Sequence, residues 1–133
     1  MITLKQAKKA LELAEEKAAE LKVAVSITVV DNSGNTIASS KMDGAISISP
    51  KFSYTKAFTS ASIGAPTSSL EQYATDGKPY YGLNSILAGQ LTTIAGGEPI
   101  MVDDKLVGGV GVGGSMDVSQ DDECAKAALA AFK

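Results

Sequence analysis

The sequence feature that most constrains the fold is a glycine-rich strand near the end of the chain. Pro99 to Val102 predicts one strand, Asp103-Asp104 a polar turn, and Lys105 to Val112 the returning strand. Glycines crowd the second arm, at Gly108, Gly109, Gly111, Gly113 and Gly114. Glycine within a strand gives up packing and chain entropy, so it usually marks a close approach by another backbone or by a ligand. The pattern therefore predicts a hairpin with either protein or a ligand packed closely against one arm.

Composition limits the classes of protein that can carry such a hairpin. With 133 residues, 44% of them apolar and 20% charged, the chain predicts a single globular domain over residues 1–133. A net charge of −3 and the absence of arginine argue against nucleic-acid binding and against bidentate clamping of phosphate. Neither a signal peptide nor a membrane-spanning window is visible, so the sequence predicts a cytoplasmic protein.

The chain contains no histidine, and this removes several kinds of site. Ser-His-Asp and Cys-His catalysis, histidine-based zinc sites and histidine ligation of haem are all excluded. The single cysteine, Cys124, excludes an intrachain disulfide and is interpreted as a small buried apolar residue. No metal site is predicted.

The first part of the chain predicts a helix and a hairpin. Thr3 and Gln6 form a capping box at the start of a long helix. Its apolar stripe consists of Leu4, Ala7, Leu11, Ala14, Ala18 and Leu21. Two strands follow at residues 24–31 and 36–42, joined by a turn at Asp31 to Asn35.

A second helix is predicted from Pro50 to Ile63. Ser49 is expected to be its N-cap, and Gly64 is expected to end it. The faces of this helix are unusually polar, with hydroxyls at Ser53, Thr55, Thr59, Ser60 and Ser62.

The remaining segments complete an antiparallel sheet with helices on its faces. Thr67 to Ala74 predicts a short helix, and Tyr80 to Gln90 is either a short helix or an irregular loop. Leu91 to Ala95 predicts a strand that leads into the glycine hairpin. Ser119 is expected to cap a final helix from Gln120 to Phe132.

Five short blocks, taken in order, resemble one protein family. They are Asp43-Gly44-Ala45, Lys56-Ala57 with Thr59, Pro66-Thr67, Gly96-Gly97-x-Pro99-Ile100 and Gly111-Val112-x-Gly114. Their order and spacing resemble the GlcG/HbpS family of haem-binding-protein-like domains, also found as the C-terminal domain of PduO-type cobalamin adenosyltransferases. The resemblance extends from the first helix to Asp122-Glu123 in the last.

The resemblance implies a profilin-like α/β fold of the α+β type, in which helices flank an antiparallel five-stranded sheet. It also implies assembly into homo-oligomers and a small-ligand-binding function. Some members bind haem and act as redox sensors or haem-handling proteins, whereas others are encoded in operons for glycolate or propanediol use. The family therefore implies the fold more directly than the function.

The chain departs from the family pattern near the candidate site. Ser53 and Ser60 stand where alanine is usual, and Gly113 stands where the family has serine. Because histidine is missing, haem bound here would need another iron ligand. The candidates for that ligand are Tyr80, Tyr81 and Met42.

The blocks predict a pocket between the Lys56 helix and the glycine hairpin. Lys56 either anchors a carboxylate or phosphate, or pairs with Asp43 or Glu98 to hold the helix on the hairpin. The paired glycines offer backbone amides to an anion, or else allow close packing. The predicted ligand-binding residues are Lys56, Thr59, Asp43, Gly96, Gly97, Gly111, Gly114 and Tyr80.

Three functions are open at this point. The leading hypothesis is a non-catalytic or sensory domain that binds haem, another tetrapyrrole or a small anionic metabolite. The second is an enzyme that acts on a small carboxylate with Lys56 as acid, base or anchor, and the missing histidine counts against it. The third is a structural partner in an operon-encoded complex. Alanine-rich helices and a flat glycine strand favour a homo-oligomer in each case.

Overall fold

Four helices and four strands make up the fold. A computed structural model describes residues 1–133. The helices are α1 (Leu4–Leu21), α2 (Ser49–Ile63), α3 (Glu71–Ala74) and α4 (Val118–Ala128). The strands are β1 (Ser26–Asp31), β2 (Thr36–Lys41), β3 (Gly97–Val102) and β4 (Lys105–Gly113). None of the helices combines the length and the apolar character that crossing a membrane requires.

The sheet is antiparallel, with the strand order β2-β1-β4-β3. Both predicted hairpins are confirmed, and Asp103 and Asp104 form the second turn with positive φ angles of 51° and 62°. The hairpins join through β1 and β4, where Ser26 lies opposite Gly113 and Asp31 lies opposite Gly108. The glycine strand is therefore a central strand, paired along both of its edges.

The antiparallel α+β class is confirmed, but the implied count of five strands is wrong, because the sheet has four. The segment from Leu91 to Ala95, predicted as a strand, is irregular. The Thr92 N–H donates to Thr59 Oγ1 at 3.0 Å. A side chain of α2 thus takes the hydrogen bond that strand pairing would have used.

One face of the sheet carries the main apolar core and is covered by α1 and α4. The sheet contributes Ile27, Val29, Val110 and Val112, all fully buried. Helix α1 contributes Ala7, Ala10, Ala14 and Ala18, and only Leu4 of its predicted stripe is exposed. Helix α4 adds Cys124, Ala125 and Ala128, so the cysteine is buried as predicted. Aliphatic area removed from water stabilises this face.

The opposite face is covered by α2, which lies against the glycines of β4. An added Cβ at Gly109 or Gly111 would overlap main-chain atoms of α2. At Gly113 it would lie 2.5 Å from Phe52 Cβ. The sequence left open whether protein or a ligand packs against this arm. The structure shows that it is protein, namely helix α2.

Hydroxyl pairs cross the same interface. Ser26 Oγ lies 2.8 Å from Ser49 Oγ, and Thr28 Oγ1 lies 2.8 Å from Ser53 Oγ, with all four residues buried. The polar side of α2 is thus its packed side, which explains why its apolar periodicity is so weak. Buried hydroxyls are tolerated there because they bond to each other.

Helix ends follow the predictions in part. The capping box of α1 is confirmed, with the Gln6 N–H donating to Thr3 Oγ1 at 3.1 Å. Helix α2 ends at Gly64 as predicted, in a left-handed conformation with φ 81°. Ser49 is not the N-cap of α2, because its hydroxyl bonds across to β1 instead.

Helix α4 begins at Val118, two residues before the predicted start. Its N-cap is Asp117, which accepts from the Ser119 N–H at 3.0 Å, so the prediction of Ser119 as cap is wrong. A short 3-10 segment, Leu129–Phe132, continues the chain to its end.

The segment between α2 and β3 is mostly irregular. It contains α3 and two 3-10 segments, Thr67–Ser69 and Leu83–Gly89. The second of these is interrupted at Leu87 and Ala88, which have left-handed backbone angles. For residues 80–90, the structure therefore agrees better with the irregular loop than with the short helix.

Candidate functional site

Lys56, the central residue of the predicted site, is buried beneath α2 with 1% of its surface exposed. Its Nζ donates to Asp121 Oδ2 at 3.1 Å and to the Val112 carbonyl at 2.9 Å. Asp121 lies in the first turn of α4, and its Oδ1 accepts from the Ser115 N–H at 3.0 Å. One side chain of α2 thus connects the glycine strand to α4.

The two partners predicted for Lys56 are wrong. Asp43 is exposed after β2 and forms no salt bridge. Glu98 extends from β3 to the opposite face of the sheet, where it meets α4. Lys56 is held by an ion pair, but its partner is Asp121.

Electrostatics make the Lys56–Asp121 pair a tightly constrained unit. Burial lowers the pKa of Lys56 and raises the pKa of Asp121, and the attraction between the two groups opposes both changes. Removing one partner would leave a buried charge without compensation. Because both acceptors of the ammonium are protein atoms, the geometry gives Lys56 a structural role.

Three of the predicted glycines surround the Lys56 side chain. A Cβ at Gly96 would lie 2.9 Å from Lys56 Nζ, and one at Gly111 would lie 3.0 Å from Lys56 Cβ. A Cβ at Gly97 would overlap the Lys56 carbonyl and lie 2.7 Å from Thr67 Cγ2. Helix α2 packs directly on the hairpin at these glycines, while Lys56 also lines an open groove of about 390 Å³ together with Phe52 and Thr92.

Thr59 also forms hydrogen bonds to other parts of the protein. Its hydroxyl donates to the Thr55 carbonyl at 2.7 Å and accepts from the Thr92 N–H at 3.0 Å. Gly114 lies further along, beside an open groove of about 430 Å³ that it shares with Gly44 and Met116. The structure therefore brings Lys56 together with Gly96, Gly97 and Gly111, but not with Asp43, Gly114 or Tyr80.

Tyr80 lies at a different place, in an apolar surface groove of about 460 Å³ beyond the end of α2. The residues that line this groove, named here the tyrosine groove, are Ile63, Ala65, Ser69, Leu70, Tyr73, Pro79 and Tyr80. The Tyr73 and Tyr80 rings meet edge to face with centroids 6.5 Å apart, and each residue is about half exposed. Its size and apolar walls are those of a small-molecule site.

Sequence reasoning missed a buried pair of carboxyl groups, Glu98 on β3 and Asp122 on α4. Glu98 is 6% exposed and Asp122 is 8% exposed. Neither Glu98 Oε2 nor Asp122 Oδ1 receives a hydrogen bond from a donor group, and Asp122 Oδ2 lies 3.2 Å from Lys126 Nζ. Burial, followed by the hydrogen bond to Asp122, raises the pKa of Glu98 to about 8.

The sequence carries a signal for each of two buried carboxylates, Asp121 and Glu98. Asp121, Ala125 and Ala128 are spaced as i, i+4 and i+7, so Asp121 belongs to the apolar stripe of the last helix. Glu98 lies two residues before Ile100 in a strand, so it shares the core face of the sheet with that residue. Acidic residues at buried positions require partners.

Comparison with known proteins gives a family match over nearly the whole chain. A family model described as "Haem degrading protein HbpS-like" matches residues 2–130. A 15.0 kDa protein from the dhaT-dhaS intergenic region of Citrobacter freundii is 36% identical over 131 residues, which cover 98% of this chain and 92% of that protein.

Two further similarities involve PduO. The corrinoid adenosyltransferase PduO of Salmonella typhimurium is 34% identical over 119 residues, covering 90% of this chain. The match covers 35% of that enzyme, so this chain spans about a third of its length. The crystal structure of a PduOC–haem complex has a TM-score of 0.94 and 30% identity, covering 99% of this chain and 95% of that chain.

Proposed function

The chain belongs to the HbpS-like family, and we propose that it is a haem-binding domain whose ligand occupies the tyrosine groove. The family description and the haem complex of a structure with the same fold support haem as the ligand. The groove is lined mainly by apolar side chains, which suits the face of a porphyrin, and its open mouth leaves room for charged substituents in water.

The observation that carries this placement is that two tyrosines share one apolar groove, whereas the other iron ligands considered from the sequence lie elsewhere. Tyr80 lies in the apolar groove, next to Tyr73. Met42 packs against the apolar core, Cys124 is fully buried, and Tyr81 lines a neighbouring groove together with Glu71. Tyrosine is an established haem ligand, so the residues present fit the group without histidine.

Each part of the groove has a defined task in this proposal. Ile63 and Leu70 provide apolar walls, which exclude water from the porphyrin face. Tyr80 would offer its phenol oxygen to the iron, and the edge-to-face contact with Tyr73 restricts the orientation of its ring. Bound haem would supply an iron centre able to change oxidation state or bind a further small ligand.

Titration of the protein with haemin, followed by the Soret band, tests the proposal. We expect a saturable shift at micromolar protein for the unchanged chain. Tyr80→Phe should weaken binding about tenfold or more, because one ligand bond is lost while the apolar walls remain. The same variant should lose the phenolate-to-iron charge-transfer band. Tyr81→Phe is the matched control, because Tyr81 follows Tyr80 in sequence but lines another groove, and it should bind haem as the unchanged chain does.

Two outcomes would contradict the proposal at different levels. The absence of any saturable Soret shift would remove haem as the ligand. A normal shift and charge-transfer band in both Tyr80→Phe and Tyr73→Phe would keep haem but place it outside the tyrosine groove.

A further inference from the structure

We propose that Glu98 stays protonated in its buried contact with Asp122, and that ionisation of Glu98 loosens α4 from the sheet. The proposal concerns the face opposite α2 and is independent of haem binding. According to this proposal, the strength of the contact between β3 and α4 depends on pH.

The geometry of the two carboxyl groups carries the inference. Each has a buried oxygen that receives no hydrogen bond, Oε2 on Glu98 and Oδ1 on Asp122. Two ionised carboxylates at this position would repel each other, with little water to screen them. A proton on Glu98 converts the same contact into a hydrogen bond from a carboxylic acid to a carboxylate, which is among the stronger kinds.

The remaining charges favour the proton on Glu98. Lys126 Nζ lies 3.2 Å from Asp122 Oδ2, so Asp122 has a cation beside it, whereas Glu98 forms no salt bridge. From β4, the residue opposite Glu98 is Val110, which is uncharged. The final 3-10 segment, Leu129–Phe132, has no titratable side chain.

The other helix that packs on β3 offers no counter-charge to Glu98. Helix α2 contributes Lys56, whose ammonium is already bonded to Asp121 and to the Val112 carbonyl. The charged groups that act on Glu98 are therefore Asp122 and Lys126, both from α4. A change in charge at Glu98 acts directly on the attachment of that helix.

The direction of the pH effect follows from the pKa of Glu98. That pKa is raised from 4.5 to about 8 in the folded chain, so the folded state binds more protons than the unfolded state between these values. The contribution of Glu98 to the free energy of unfolding is therefore at its maximum below the unfolded pKa. This contribution decreases as pH rises towards about 8. A further rise in pH does not lower the contribution of this pair to stability any more.

Thermal unfolding across pH, monitored by circular dichroism, tests the proposal in the full chain. The melting temperature of the unchanged protein should fall between about pH 5 and about pH 9. Glu98→Gln keeps a hydrogen-bond donor facing Asp122 at every pH, so its curve should be flatter and should exceed that of the unchanged chain at the alkaline end. Glu123→Gln removes an exposed acid from the same helix and should keep the original slope.

Hydrogen exchange locates the effect. Protection factors of α4 amides, corrected for intrinsic exchange, should fall by about tenfold or more relative to those of α1 between about pH 5 and about pH 8. A uniform fall over both helices would show general destabilisation and overturn the assignment to α4.

A measurement on the unchanged chain keeps the test valid even if Glu98→Gln fails to fold. Titration of the Glu98 carboxyl carbon by NMR should give a midpoint near 8. A midpoint near the ordinary value of 4.5 would overturn the proposal. So would equal pH slopes for Glu98→Gln, Glu123→Gln and the unchanged chain.

Discussion

The two faces of the sheet are packed by different means. The face under α1 and α4 is mostly aliphatic, with residues such as Ile27 and Val110 fully buried, apart from the carboxyl groups of Glu98 and Asp122. The face under α2 presents Gly109, Gly111 and Gly113, and helix main chain lies where their side chains would be. The first face is stabilised by buried apolar area, whereas the second depends on close backbone approach, paired hydroxyls and one buried ion pair.

This difference shows that the faces tolerate opposite kinds of change. An aliphatic core loses stability when atoms are removed, because a cavity remains. An interface between a glycine strand and a helix loses stability when atoms are added, because the helix must move as a unit. Equal changes in volume should therefore have unequal effects on the two sides.

The largest effect is expected at the ion pair of the α2 face. Lys56→Met should lower the free energy of unfolding by about 3–5 kcal/mol, because Asp121 stays buried without its cation. Urea unfolding would measure the loss. Lys51→Met is the matched control, since Lys51 belongs to the same helix but is exposed, and it should change little.

A double change sharpens the Lys56 prediction. Adding Asp121→Asn to Lys56→Met removes the uncompensated charge, while the amide oxygen can still accept from Ser115. Part of the lost stability should return. Equal stability losses for Lys56→Met and Lys51→Met would mean that the buried pair does not hold the α2 face.

A smaller effect, about 3 kcal/mol, is expected for Gly111→Ala, which adds one methyl group against Ser53 and Ala57 of α2. The added carbon overlaps main-chain atoms that cannot rotate away. The free energy of unfolding and the near-ultraviolet dichroism should both change, because α2 must shift. Unchanged stability would show that the helix can retreat without cost.

The smallest effect is expected on the aliphatic face. Ile27→Val removes one methylene from the fully buried core and should lower the free energy of unfolding by about 1 kcal/mol. The same urea measurement applies. A loss equal to or larger than that of Gly111→Ala would remove the proposed contrast between the faces.

Local features of the sequence predicted most of the fold. The capping box at Thr3, the glycine at the end of α2 and the two hairpin turns depend on neighbouring residues, and the structure confirms them. The prediction of a strand from Leu91 to Ala95 is wrong because the conformation of this segment depends on a hydrogen bond to Thr59, more than thirty residues earlier. Local pattern does not contain that contact.

The site was harder to predict for the same reason. Lys56 stands out in the sequence, but its partner Asp121 lies 65 residues away in the last helix, and no local pattern links the two. The glycines were expected to border a pocket, yet helix α2 packs directly on them. Tyr80 stands apart from these residues, and its placement beside Tyr73 depends on a turn that no periodic pattern describes.

The strand order also affects how the chain folds. The β1–β2 hairpin closes locally, but β1 reaches its second neighbour only when β4 is available, with Ser26 opposite Gly113. Such distant pairing slows folding, since a long loop must close before the contact forms. During synthesis, the apolar side of β1 therefore has no complete sheet until the last third of the chain has emerged. This interval is when a new chain is most exposed to aggregation.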